Sequence, residues 1–252
     1  MCYIDLKPTL ADWPYDAEQI SVRKILGSDA EVRIQMRVEL GVLQMDVAGR
    51  PDGLRPHGCE SLLAYHQKRL AKHEERNGTT LGFLLSPKQC QELRVEASLY
   101  YRRYVALFVL EDYADVTCDT SHNLAVFDFC RDYAREPEDR TCLESFRPYV
   151  VMMDARARAC EALQQNEPAS ALAHVNRGIL HIKAFYENRG EPGVADACEE
   201  VKMLHMLAGE VDDQLPKDSL VATRKALREA IEQECYEEAA RLRDELDNLY
   251  KT

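Results

Sequence analysis

The sequence predicts a mainly α-helical protein with a small β element at its N-terminus, a body of helical hairpins and a C-terminal pair of antiparallel helices. Alternating apolar and polar residues occur near the N-terminus, whereas from Ser61 onward apolar residues recur at helical spacing. Of the 252 residues, 46% are hydrophobic and 30% are charged, a composition typical of a folded chain. We therefore expect three parts: residues 1–58, 59–214 and 215–252.

The N-terminal part contains the predicted strands. Apolar side chains occupy every second position, which is the pattern of a half-buried strand; they are Val32, Ile34, Met36, Val38 and Leu40. Residues 21–25 are the predicted partner strand across a turn at residues 27–29, and residues 42–47 extend or follow the strand after a break at Gly41. We expect a small sheet.

Residues 49–58 are the densest Gly/Pro segment, which predicts an irregular loop that ends the strand region. Arg50, Arg55 and His57 make this loop mildly basic, so one hypothesis is that these side chains bind an anion. The spacing matches neither a P-loop nor a dinucleotide-binding fingerprint. The other interpretation is a turn and linker without a binding role.

Helical periodicity covers the middle of the chain. Ser86 is the expected N-cap of one long helix, with Pro87 at its first position, and Asn77-Gly78 closes the helix before it. Breaks occur at Glu136-Pro137, at residues 166–168 and at residues 190–193. The predicted helices are residues 61–75, 87–112, 114–134, 141–165, 167–188 and 194–211.

An internal repeat is visible within these helices. Residues 103–114 resemble residues 158–169 at an offset of fifty-five residues, and each segment is predicted as a helix, a tight turn and a second helix. This architecture is similar to that of tetratricopeptide repeats, although the offset exceeds their usual length of about 34 residues and at least about three units are needed for a solenoid. The body is therefore tetratricopeptide-like. The alternative is an ordinary helical bundle in which the similarity between the two segments arose by chance.

Charge and cysteine content restrict the class of function. The formal net charge of -12 repels phosphate, so DNA could bind only through a local basic patch. The nine cysteines include no CxxC pair, which favours reduced thiols and a cytoplasmic location. The first residues lack a basic region, and no later stretch approaches about 18 uncharged apolar residues, so we expect neither a signal peptide nor a membrane span.

No metal site or other cofactor is predicted. Cys59, His66 and His73 recur every seven residues, and Cys118 and His122 are four residues apart. Neither set supplies a complete zinc site, so packing is the favoured role of these side chains.

Catalytic and nucleic-acid motifs are also weak. Residues 100–104 mix aromatic and basic side chains as a single-strand nucleic-acid platform does, yet consecutive helical residues point in several directions. A tyrosine-rich core helix with solvated arginines is the favoured interpretation. No GxSxG, HExxH or kinase-like motif occurs, so we do not expect an enzyme.

Residues 215–252 predict a helical hairpin. Asp218 or Ser219 is the expected cap of its first helix, and the second helix begins near Tyr236 after a connection so short that the helices must lie antiparallel. The segment resembles the UVR motif of the repair proteins UvrB and UvrC, and Cys235 stands where Asp is common in that family. The matching residues are Leu227, Ala230, Glu234, Tyr236, Glu237, Ala239, Ala240, Leu242, Arg243, Asp244, Leu246 and Leu249.

Several side chains of the hairpin have an expected structural role. Ala239 and Ala240 let the two helices approach closely, and Tyr236 fills the turn end. Two supporting ion pairs four residues apart are expected on the surface, Glu237 with Arg241 and Arg243 with Asp247.

A hairpin this short cannot bury both of its apolar stripes, so it must dock on something. In the family, such hairpins pair with a matching hairpin, as between UvrB and UvrC, and occur in the protease-chaperone ClpC and its adaptor McsA. The resemblance therefore implies a protein partner, either another UVR hairpin or a second copy of this chain. The predicted partner-binding residues are Leu227, Ala230, Ile231, Tyr236, Ala239, Ala240, Leu242, Arg243, Leu246 and Leu249.

The predicted function is a non-catalytic adaptor or scaffold in bacterial stress response, proteolysis or DNA repair. The alternative is a nucleic-acid-binding accessory of nucleotide excision repair, in which the hairpin recruits a nuclease and arginine-rich faces contact DNA. The acidic charge disfavours this alternative. A third hypothesis is a small enzyme that uses the loop at residues 49–58.

Overall fold

The computed structural model describes residues 5–212, 220–232 and 235–249, and it has the predicted class: mainly helical with one small sheet. A short helix α1 (Lys7–Leu10) precedes strands β1 (Val22–Leu26), β2 (Val32–Val38) and β3 (Gly41–Asp46). The helices that follow are α2 (Leu62–Asn77), α3 (Pro87–Val109), α4 (Tyr113–Tyr133), α5 (Pro137–Thr141), α6 (Arg147–Gln164), α7 (Pro168–Asn188), α8 (Pro192–Ala197), α9 (Glu199–Asp212), α10 (Leu220–Glu232) and α11 (Tyr236–Leu249).

The predicted small sheet is present, and its three strands are antiparallel in the order β1-β2-β3. Ile34 of β2 lies opposite Lys24 of β1 and Met45 of β3. Ile34 and Met45 are buried in the same apolar cluster as Tyr104 of α3. The sheet therefore packs against the helical body and shares its core.

Two details of the sheet differ from the prediction. β2 ends at Val38, and Leu40, predicted to continue the strand, lies in the turn with 94% of its surface exposed. β3 begins at Gly41, which pairs with Val38, so no break occurs there. The cause is a two-residue turn at Glu39 and Leu40. This turn reverses the chain before Leu40 can occupy the next core-facing position of the strand.

The predicted end of α2 at Asn77-Gly78 and the predicted Ser86 cap of α3 are confirmed, whereas α3 ends at Val109 and not at the predicted Asp112. The Ser61 side chain accepts a hydrogen bond from the Ala64 amide, and Ser86 forms a reciprocal capping box with Gln89. Gly78 ends α2 with a φ of 71°, a left-handed conformation that glycine adopts without steric cost.

Two helices predicted as continuous are divided. Within residues 141–165, a 3-10 turn (Glu144–Phe146) precedes α6, whose first turn contains Pro148. A proline lacks the amide proton that a helix interior needs, so α6 starts there. Within residues 194–211, Cys198 adopts an extended conformation and separates α8 from α9.

The long helices of the body pack against one another in chain order: α3 with α4, α4 with α6, α6 with α7, and α7 with α9. At the α6–α7 contact, Gly178 lies so close to Ala155 that an added Cβ would come within 2.5 Å of the alanine Cβ. The close approach of these two backbones depends on glycine.

The predicted repeat reappears in the two turns of the body. Glu111, in the α3–α4 turn, has a φ of 61°, and Asn166, fifty-five residues later in the α6–α7 turn, has a φ of 59°. The same hydrogen bond crosses both turns, from the Asp112 amide to the Leu107 carbonyl and from the Glu167 amide to the Ala162 carbonyl. The two units thus share a turn geometry, and the tetratricopeptide-like description stays a prediction.

Helices α10 and α11 form the C-terminal hairpin. An ion pair between Lys225 and Asp212 links α10 to the end of α9. The predicted cap at Asp218 or Ser219 lies outside the described residues. In the ranges that are described, no helix has both the length and the apolar character needed to cross a membrane.

Candidate functional site

The interior of the C-terminal hairpin is small. Ala230 of α10 is buried against Ala239 and Leu242 of α11, and Ala226 and Leu227 pack against these three residues. Alanine on both facing helices permits a close approach of the backbones, as predicted for Ala239. The same prediction for Ala240 was wrong, because Ala240 is exposed. These side chains hold the hairpin together.

The connection between the two helices is hydrogen bonded. The Cys235 amide donates to the Ala230 carbonyl at 2.8 Å, and the Ala239 amide donates to the Cys235 carbonyl at 3.0 Å. A donor that reaches back five residues satisfies a carbonyl at the end of α10, as in the turns of the helical body. The Cys235 backbone therefore links the last turn of α10 to the first turn of α11.

Four of the predicted partner-binding residues point outward. Ile231 is 54% exposed and Tyr236 is 68% exposed, and Ala240 and Arg243 are also exposed. The side chains of Leu246 and Leu249, also predicted to bind the partner, lie outside the described part of the structure.

Two predictions about the hairpin are corrected. Tyr236 does not fill the turn end, because it lies roughly a quarter of a helical turn away from the buried stripe formed by Ala239 and Leu242. Arg241 pairs with Glu238, three residues earlier, at 2.6 Å, and not with Glu237. Both spacings place two side chains on one helical face, so the sequence alone does not choose between them.

Comparison with known families agrees with this geometry. Residues 217–252 match the family model of the UvrB/uvrC motif. The C-terminal hairpin is a UVR motif. The match covers about one-seventh of the chain. Neither the curated proteins nor the solved structures contain a match to the chain. The UVR hairpin supports a role in protein interaction or DNA repair, because the motif occurs in UvrB, UvrC and related proteins.

The loop at residues 49–58 does not bring its three basic side chains together. Arg50 faces the protein with 11% of its side chain exposed, and its Nε lies 3.2 Å from Asp52 Oδ1. Arg55 is exposed, and the exposed His57 ring stacks on Tyr65 at a centroid distance of 4.0 Å. Anion binding by this loop stays a prediction that would have to rely on the two outward side chains.

A buried carboxylate outside all of the predicted sites contacts this loop and the helix that follows it. Glu96 is fully buried, accepts hydrogen bonds from the Leu62 and Leu63 amides at 2.7 and 3.0 Å, and lies 3.4 Å from His122 Nε2 and 3.6 Å from Arg50 Nε. Burial alone raises its pKa, but the close contact with His122 and the hydrogen bonds from the two amides outweigh burial and leave the pKa below its usual value. Its role is to hold the start of α2.

The residues that resembled a nucleic-acid platform belong mostly to the core. Tyr100 and Tyr104 are buried, as predicted for a tyrosine-rich core helix. Arg103 is buried too and donates two hydrogen bonds to Asp119, at 2.6 and 2.8 Å, so the prediction that it is solvated was wrong. Arg102 is exposed, as predicted.

The histidines considered for metal binding contact separate partners. The buried His66 Nδ1 accepts from Arg69, whereas His73 Nε2 contacts the Leu81 carbonyl. Across the described ranges, no group of three or more His, Cys, Asp and Glu side chains is arranged to hold a metal ion.

Proposed function

We propose that the protein is a non-catalytic adaptor whose UVR hairpin holds a protein partner. The observation that carries this proposal is the exposure of two large apolar side chains, Ile231 and Tyr236, beside an interior of small residues. Tyrosine is enriched among the residues that dominate binding energy at interfaces, and exposed apolar clusters on soluble proteins mark interaction sites.

The size of the UVR hairpin supports the same conclusion. An isolated unit below about 40 residues rarely buries enough apolar surface to be stable alone. A partner that covers Ile231 and Tyr236 adds the apolar burial that the hairpin lacks. A matching hairpin, from another protein or from a second copy of this chain, is the partner that the motif favours.

The test is affinity purification of the protein, in which the amount of each retained partner is quantified. Replacing Ile231→Ser and Tyr236→Ser together is expected to reduce retention of the partner at least tenfold, because each removes an apolar anchor. The matched control is Leu40→Ser, which changes a 94% exposed leucine on the β2–β3 turn. An unchanged partner set with the double variant would refute the proposal.

Self-association is distinguished by sedimentation velocity of the purified protein. If the partner is a second copy, the wild-type protein dimerises with increasing concentration and the double variant stays monomeric. If the partner is another protein, both remain monomeric and the affinity purification carries the test.

A bacterial stress, proteolysis or DNA repair pathway is the setting we propose for this adaptor, on the strength of the UVR motif. An accessory that binds nucleic acid itself is the rival. Phosphate contacts would make DNA affinity fall steeply with added salt. The adaptor proposal predicts no such salt-dependent binding, in line with the net charge of -12.

A further inference from the structure

A groove of about 540 Å³ lies in the helical body, between α3, α4, α6 and the start of α9. This volume is within the range of small-molecule sites, roughly 300–1,000 Å³. Aromatic rings dominate its wall: Tyr101, Tyr104, Phe127, Phe146 and Tyr149. None of them belongs to the UVR hairpin, so the groove is a separate feature of the molecule.

The rings are arranged around the groove at different depths and angles. Tyr104 and Phe127 are buried, whereas Tyr101 is 45% exposed and Phe146 is 59% exposed. The Tyr101 ring stands at 87° to Tyr104, with centroids 5.4 Å apart, and is tilted by 59° to Tyr149 at 6.2 Å. Aromatic faces carry negative partial charge and aromatic edges carry positive partial charge, so a bound cation is attracted where a ring turns its face toward it.

The two charged side chains in the groove wall differ in whether an ion pair neutralises them. Arg94 is already engaged, since its guanidinium lies 2.5 Å from Asp139 Oδ1 and also donates to Gln91. Glu200 lines the groove from the first turn of α9, is half-buried, and has no ion pair among the residues described. The charge left for a ligand to neutralise is therefore negative.

We infer that this groove binds an organic cation, an alkylated ammonium group carried on an apolar body. A cation placed against the tyrosine and phenylalanine rings is attracted by their negative faces, an interaction worth about 0.5–1 kcal/mol at exposed sites and more when desolvated. The Glu200 carboxylate adds an opposite charge, and the apolar wall takes the body of the ligand. A neutral or anionic ligand of the same shape gains neither contribution.

The test is isothermal titration of the full-length protein with defined probes. Benzyltrimethylammonium is the primary probe, and phenylacetate is its anionic counterpart. Choline and its neutral isostere 3,3-dimethylbutan-1-ol form a pair matched in shape. We expect benzyltrimethylammonium to bind, phenylacetate not to bind, and choline to bind about fivefold or more tightly than the neutral isostere.

Variants locate the binding in the groove. Glu200→Gln is expected to weaken the affinity for benzyltrimethylammonium about fivefold, and Tyr101→Leu is expected to do the same because it keeps apolar volume but removes a ring face. Glu199→Gln is the matched control: it changes the same charge in the same helical turn, but Glu199 is 79% exposed and pairs with Lys202.

Four outcomes would overturn the inference. If the neutral isostere binds as tightly as choline, the site is purely apolar, and if phenylacetate is preferred, Arg94 and not Glu200 selects the charge of the ligand. The other two outcomes are equal effects of the two glutamate variants and no binding of any probe at millimolar concentration. Far-UV circular dichroism of each variant establishes that the helices are retained.

Discussion

The helix pair α3–α4 and the UVR hairpin α10–α11 are both pairs of consecutive helices that pack against each other, but they differ in what they bury. The first pair encloses an ion pair, Arg103 with Asp119, and large side chains such as Tyr104, and it is covered by α6 and the sheet. The buried side chains of the second pair include two alanines and one leucine. One architecture is therefore a core element where neighbours cover it, and in our proposal it is a docking element where large apolar residues stay exposed.

The largest expected effect concerns the buried ion pair of the body. Asp119→Ala leaves the Arg103 guanidinium buried without its carboxylate, so the free energy of unfolding should fall by about 3–5 kcal/mol. Denaturant titration measures this loss. Replacing both residues, Arg103→Met with Asp119→Leu, should recover much of it, because no charge is then left unpaired.

The hairpin supplies the contrast for this test. Arg241→Ala removes a surface ion pair with Glu238 and should change the stability by less than about 0.5 kcal/mol. A loss of under about 1 kcal/mol for Asp119→Ala would mean that the body and the hairpin do not differ in the way described.

The second prediction is a pH dependence that resides in the body. Burial, aided by the charge of Arg69, lowers the pKa of His66 from 6.5 to about 4. The folded protein thus binds the proton more weakly than the unfolded chain, so this contribution to stability is complete above pH 6.5 and is lost as the pH falls toward 4. The loss should reach about 3 kcal/mol.

Urea titrations at pH 7.5 and pH 4.5 measure this dependence. The difference between the two values should shrink in His66→Gln relative to the wild type. His73→Gln, on the same helix, serves as the control and should keep the wild-type difference. Equal differences in the wild type and His66→Gln would contradict the assignment.

A smaller effect tests how closely the helices of the body approach. Gly178→Ala should cost about 1–2 kcal/mol, because the new Cβ meets Ala155 and comes within 3.2 Å of Leu204 Cδ1. Gly209→Ala, in α9 with open space around the new Cβ, should stabilise the protein by up to about 1 kcal/mol through helix propensity. Thermal denaturation of the two variants should therefore shift in opposite directions.

The smallest effects test the equivalence of the two turns in the body. Glu111 and Asn166 both have a left-handed backbone conformation, so Glu111→Gly and Asn166→Gly should each stabilise the protein, by at most about 1 kcal/mol. The gain should be larger for Glu111, because asparagine tolerates this conformation better than glutamate. Opposite signs at the two positions would break the equivalence.

The sequence is sufficient to predict a helix end where a capping residue or a helix breaker lies next to that end. Ser86 with Pro87, and Asn77 with Gly78, mark helix ends because caps and breakers act within one turn. The break at Cys198 has no comparable local signal. Residues 141–165 were predicted as one helix because the apolar spacing continues through the 3-10 turn.

Interactions between distant segments were harder to predict. Glu96 and Arg103 are seven residues apart on the apolar face of α3 that contains Leu93 and Leu107, so their burial could have been read from helical spacing. Their partners could not, because the Leu62 amide and the Asp119 carboxylate come from other helices. The aromatic groove likewise combines side chains from several helices without a common motif.

The most direct test of the UVR hairpin as a docking element is photocrosslinking in cells that express the full-length protein. A benzoylphenylalanine replaces either Tyr236 on the hairpin or Leu40 on the β2–β3 turn, both exposed. We predict a discrete covalent adduct from position 236 that disappears when Ile231→Ser is added, and no such adduct from position 40. Absence of an adduct at position 236, or the same adduct from both positions, would contradict the account.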